Sequence, residues 1–173
     1  MTPEPGVAGC RSIPELVQHL SDASRERGLK IATAESCTGG MVGAAITDQP
    51  GASACYVGGA VAYCDDVKVR CLNVDPVVID AHGAVSKLVA LQMAFGARRR
   101  FSADVALAVT GIAGPRGGRP EKPVGTVWIA VAVSDGIGTA RRMQFVGGRA
   151  AIRDRSVAAV LRLATEAIAT HDL

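Results

Sequence analysis

Two short apolar runs, residues 29–33 and 104–109, each lead into a glycine-rich turn, and each follows a segment with helical spacing. Buried strands alternating with helices argue for a sheet with parallel strands and a helical layer on either face. The rest of the chain extends this pattern. Residues 13–27 place Ile13, Leu16, Val17 and Leu20 at helical spacing, with Ser12 as N-cap, Pro14 in the first turn and Gly28 as the stop. A second strand spans 56–63, with Gly58-Gly59 open to close backbone approach, and Asp65–Leu72 reads as a short helix. Asp75-Pro76 opens another helical turn, closed near Gly83, and Ser86 caps a longer helix, Lys87–Arg100. Residues 124–134 and 137–145 are β-rich and joined by Asp135-Gly136, a hairpin signal; Arg149–Thr170 is a long amphipathic helix. The expected architecture is a three-layer α/β/α sandwich around a mixed, about five-stranded sheet, parallel but for one antiparallel member.

Composition narrows the chemistry. With 49% hydrophobic residues, only 3% aromatics and 20 glycines among 173 residues, the core has to be aliphatic and tightly packed. A net charge of +3 is too weak to imply nucleic acid, yet suits a small anionic ligand. The five cysteines are odd in number and lack C-x-x-C spacing, so neither a zinc site nor a disulfide frame is expected, and a reduced, cytoplasmic setting fits. No apolar signal-peptide region or membrane span is visible. Residues 1–11 read as a disordered lead-in to one domain, 12–173.

In open α/β sheets, ligands bind beyond the carboxyl ends of the strands, and Ser36, Tyr63 and Thr110 all fall at such ends. The turn Ala34-Glu35-Ser36-Cys37-Thr38-Gly39-Gly40 sits between a strand and a helix, where backbone N–H groups and the positive helix end converge on an anion or an oxyanion. Ser36 and Thr38 can each cap that helix, and Glu35 can complement its dipole or orient a substrate amide. As a nucleophile, Ser36 needs a base. His19 and His171 read as surface residues and His82 as a helix-end residue, so lysine assisted by tyrosine is the alternative: Lys68 lies five residues beyond Tyr63, and its helix turns it back towards the strand end. Cys37 is either a thiol acidified at a helix N-terminus or a small buried core residue. The loop from Thr110 to Gly118 has neither the G-K-[S/T] ending of a P-loop nor a G-x-G-x-x-G pattern, but its glycines can present N–H groups to a phosphate or carbonyl. Trp128 reads as a core residue.

Six segments in order carry a resemblance: Ala34 to Gly40, Pro50 to Ser53, Gly59 to Tyr63 with Lys68, His82 to Ser86, Thr110 to Pro115, and Lys122 to Trp128. Together they resemble the CinA C-terminal domain family, whose stand-alone members are called PncC, over nearly the whole chain. The resemblance implies a metal-independent serine amidohydrolase, without cofactor, that converts nicotinamide mononucleotide (NMN) to nicotinic acid mononucleotide and ammonia in pyridine-nucleotide recycling. It implies Ser36 as nucleophile, Tyr63 and Lys68 as its activating pair, and Glu35, Thr38, Gly39, Gly40, Thr110, Gly111, Gly114 and Arg149 as substrate-binding positions. A homodimer without nucleic-acid or membrane partners is also expected. The other function considered is a non-catalytic nucleotide-binding or competence-associated interaction module. Against the family pattern, Cys64-Asp65 replaces Ser-Asn, Gly148 stands where an acidic residue is usual, and Arg116 enters the glycine loop.

Overall fold

A computed structural model describes residues 11–134 and 136–171 of the chain. The elements run α1 (Ile13–Glu26), β1 (Ile31–Glu35), α2 (Met41–Thr47), β2 (Tyr56–Val61), α3 (Asp65–Leu72), α4 (Pro76–His82), α5 (Lys87–Arg100), β3 (Val105–Gly111), β4 (Thr126–Ser134), β5 (Ile137–Gln144) and α6 (Arg149–Thr170). The five strands form one sheet in the order β2-β1-β3-β4-β5. β1 pairs parallel to β2 and β3; β4 pairs antiparallel to both β3 and β5, so it is the single strand that runs against the others. The expected lead-in and Asp135 of the expected hairpin turn lie outside the described residues, apart from Arg11.

Capping chemistry fixes the helix ends. Ser12 and Glu15 form a capping box at the start of α1, Asp75 accepts from Val77 N–H at α4, and Ser86 accepts from Val89 N–H at α5. Strand ends depend on the neighbours instead. β1 begins two residues later than its apolar run predicts and continues through Ala34 and Glu35, because those two residues pair with β2 on one side and β3 on the other. β2 stops at Val61, where its pairing with β1 ends. β3 reaches Gly111, since antiparallel β4 supplies partners as far as Val127.

The central strands alternate large and small side chains, and the two kinds go to opposite faces. Ile31, Val105, Leu107, Val109, Val127, Ile129 and Val131 meet α1, α2 and α6. Ala32, Ala34, Ala106, Ala108, Ala130 and Ala132 meet the layer of α3, α4 and α5, which itself contributes Ala90, Ala94 and Ala97. The alanine face holds α5 close to the sheet, and Trp128 packs half-buried at its margin. Tight contact recurs between α3 and α5: a Cβ at Gly96 would lie 1.9 Å from the Leu72 carbonyl oxygen. The close approach expected at Gly58-Gly59 is made by Thr33, whose Oγ1 would sit 2.0 Å from a Cβ on Gly59. β1, β2 and β3 all end at one edge of this sheet, and the site is built there.

Candidate active site

At the end of β1, Ser36 N–H donates to the Val109 carbonyl at 2.9 Å, which holds the turn against β3. The chain reverses into α2 through Gly39 and Gly40, at φ 61° and 96°, a left-handed conformation that glycine adopts without Cβ strain. Glu35 is 2% exposed. Its carboxylate accepts from the N–H groups of Gly40 at 2.9 Å, Val42 at 3.0 Å and Gly43 at 2.8 Å. Three charge-assisted bonds consume both oxygens on the N-terminus of α2, so the substrate-binding role expected for Glu35 is replaced by capping. The cap expected of Thr38 is correspondingly absent: α2 has Gly40 at its N-cap, and Thr38 Oγ1 is buried without a hydrogen-bond partner. Gly39 and Gly40, expected as substrate-binding positions, have their N–H groups engaged within the turn. Gly39 N–H already donates to the Ser36 carbonyl at 3.1 Å, and Gly40 N–H to Glu35. Among the described residues, the Cys37 and Thr38 N–H groups donate to no other residue.

A cleft of about 230 Å³ opens beside this turn, lined by Ser36, Cys37, Tyr63, Asp65, Lys68 and Arg149 together with Thr110 and Gly111 at the end of β3. Lys68 is the most telling of these, being 1% exposed. A lysine is almost never fully buried without a partner, since an isolated ammonium in the interior is very costly. Its Nζ donates to Asp65 Oδ1 at 2.9 Å and to the Tyr63 carbonyl at 3.2 Å. The lysine–phenol contact expected of the activating pair is therefore not formed: Lys68 holds the main chain of Tyr63. Tyr63 lies beyond the end of β2 and is 59% exposed, and its phenol accepts from Arg149 Nη2 at 3.2 Å. No hydrogen bond joins Ser36 Oγ to Lys68 or to the Tyr63 phenol among the described residues, although all three line the same cleft.

The α6 N-terminus ties the remaining pieces together. Arg149 Nη1 donates to the Gly114 carbonyl at 2.8 Å, and Arg153, one turn on, donates from Nη2 to the Thr38 carbonyl at 2.7 Å. Gly114 thus enters through its carbonyl and does not line the cleft, whereas Thr110 Oγ1 donates to the Ala84 carbonyl at 2.9 Å and fixes one wall. Burial pushes the Cys37 thiol up to about 11, so it is a neutral core group and not an acidified nucleophile. Two contributors escaped the sequence reading. Asp65 carries a local signal, its three-residue spacing from Lys68 on one helix. Arg153 has only its four-residue spacing from Arg149, which says nothing of Thr38, 115 residues away.

The CinA C-terminal domain profile matches residues 14–168. The chain belongs to the CinA C-terminal domain family. Its CinA-family relatives include a CinA-like protein of Mycobacterium tuberculosis (strain H37Rv), 50% identical over 152 residues, which cover 88% of this chain and 34% of that protein. The chain therefore spans about a third of the length of the curated CinA-like relatives it matches. Among solved structures, a competence/damage inducible protein from Agrobacterium tumefaciens superposes with a TM-score of 0.88 at 40% identity, covering 98% of this chain and 100% of that one. A CinA superfamily protein from Escherichia coli superposes with a TM-score of 0.86 at 33% identity, covering 95% and 94%. The mixed five-stranded sheet between helical layers is thus the CinA-superfamily fold.

Proposed function

We propose that this CinA-family chain is an amidohydrolase that converts NMN to nicotinic acid mononucleotide and ammonia through a Ser36 acyl-enzyme. The observation that carries the reading is the fully buried Lys68 on the wall of the cleft that also holds Ser36 at a strand end. Burying an amine in the wall of a cleft that also holds a hydroxyl is a structural cost with a chemical use. Ser36 Oγ attacks the carboxamide carbon while its proton passes to Lys68 Nζ, which takes it as the uncharged amine. The carbonyl oxygen, charged as the tetrahedral intermediate forms, faces the N–H groups of Cys37 and Thr38 at the turn. The C–N bond then breaks, the amide nitrogen takes that proton from Lys68 and leaves as ammonia, and water hydrolyses the resulting ester to free Ser36. Asp65 and the Tyr63 carbonyl keep Lys68 Nζ aimed at the cleft. Arg149 steadies the Tyr63 phenol at the mouth.

Incubation of the purified protein with NMN, followed by assay of ammonia and of the acid product, tests the reading. Wild-type turnover is expected, and Ser36→Ala is expected to lose at least about 10³-fold in kcat while still binding NMN. No turnover by the wild type, or undiminished turnover by Ser36→Ala, overturns it. Calorimetric NMN binding without hydrolysis favours the alternative, a nucleotide-binding module.

A further inference from the structure

The 230 Å³ cleft is smaller than the roughly 300–1,000 Å³ that sites for ligands of drug size occupy. It has room for a pyridine carboxamide but leaves a ribose and a phosphate to be placed. A second cleft of about 840 Å³ adjoins it, and Ala84 and Val85 line both. The chain passes from one to the other as it leaves β3, with Gly111 in the small cleft and Ile112 in the large. The shared wall is fixed by the Thr110 hydroxyl on the Ala84 carbonyl.

The larger cleft suits an anion with a flat or apolar neighbour. Lys87, Arg119, Lys122 and Arg142 on its lining outnumber Asp80 and Glu121, and Trp128 contributes a half-buried aromatic surface. One side is a short hairpin in which Arg119 and Lys122 exchange backbone hydrogen bonds. That hairpin is pinned at two adjacent residues: Lys122 Nζ donates to the His82 carbonyl at 2.6 Å, and Arg142 Nη2 to the Glu121 carbonyl at 3.1 Å. The side chains of Arg119 and Lys87 make no hydrogen bond or ion pair among the described residues, and Lys87 stands in the first turn of α5, where the helix dipole also favours an anion. An arginine fork with free donors on a pinned hairpin is well matched to a phosphate.

We infer that this second cleft binds the phosphate-bearing half of the substrate, with Arg119, Arg142 and Lys87 as phosphate ligands and Trp128 as the wall beside the ribose. The inference rests on the amidohydrolase reading for the substrate's identity, but it is tested by binding and not by turnover. Calorimetry in a Ser36→Ala background compares NMN with nicotinamide riboside, which lacks only the phosphate. Arg119→Ala/Arg142→Ala is expected to weaken NMN at least tenfold and leave the riboside within twofold. Lys87→Glu, on α5 and outside the hairpin, is expected to act in the same direction, so a distorted hairpin alone cannot produce the result. Unchanged NMN affinity in both variants, an equal loss for both ligands, or no NMN binding at all overturns the inference. Failure of the amidohydrolase reading shows separately, as absent wild-type turnover with phosphate-dependent binding intact.

Discussion

Glu35 shows how one buried side chain can be chemically prominent and yet structural. Its three N–H partners, on Gly40, Val42 and Gly43, lie at the start of α2, directly after the turn that carries Ser36. Glu35→Gln keeps the size but turns an NH₂ group towards donors that need an acceptor. Bonds to a charged group are worth about 1.5–3 kcal/mol each, so a loss of roughly 2–4 kcal/mol is expected in urea unfolding, together with reduced NMN turnover as the Ser36 turn loosens. Unchanged stability contradicts the capping role. Ser36, Lys68 and Thr110 were legible in the sequence because each follows from a strand end or a short helical offset. The use of Glu35 as a cap was legible only as one of two options. The grip of Arg153 on Thr38 was not legible at all, since it depends on how α6 lies across the sheet.

Among elements, helices were read more accurately than strands, and the reason lies in what terminates each. Ser12, Asp75 and Ser86 end helices by local hydrogen bonds, whereas β1 extends through Ala34 and Glu35 because both flanks are paired. The contact between α3 and α5 offers a test in which two effects oppose. Gly96 lies inside α5, where alanine is favoured by about 1 kcal/mol on helix propensity. A Cβ there meets the Leu72 backbone at 1.9 Å, and backbone cannot step aside by changing rotamer. Overpacking of this kind costs about 1–3 kcal/mol or more, so the clash is expected to win. With a net loss of about 1–2 kcal/mol, Gly96→Ala should lower Tm by roughly 2–8 °C, at the 2–4 °C per kcal/mol typical of this chain length, and a raised Tm shows that α3 yields.

At the scale of the whole molecule, pH reaches the fold through the buried thiol of Cys37. Cys37 has an ordinary value near 9 and is raised to about 11 by burial, so the folded state holds its proton longer than the unfolded state does. Stability from this group is complete below pH 9 and is lost as pH rises through 11, a decline on the order of 2–3 kcal/mol. The Tyr56 phenol, also raised by burial, acts in the same direction. Urea midpoints under reducing conditions are expected to fall between pH 9 and 11, and Cys37→Ala should make that fall shallower. An equal slope in both proteins removes Cys37 as a source. Finally, the guanidinium groups of Arg149 and Arg153 fasten Tyr63, Gly114 and Thr38, three segments made much earlier in synthesis. A ribosome therefore delivers the other walls of the cleft before the helix that fastens them, and the cleft takes its shape only once α6 has emerged.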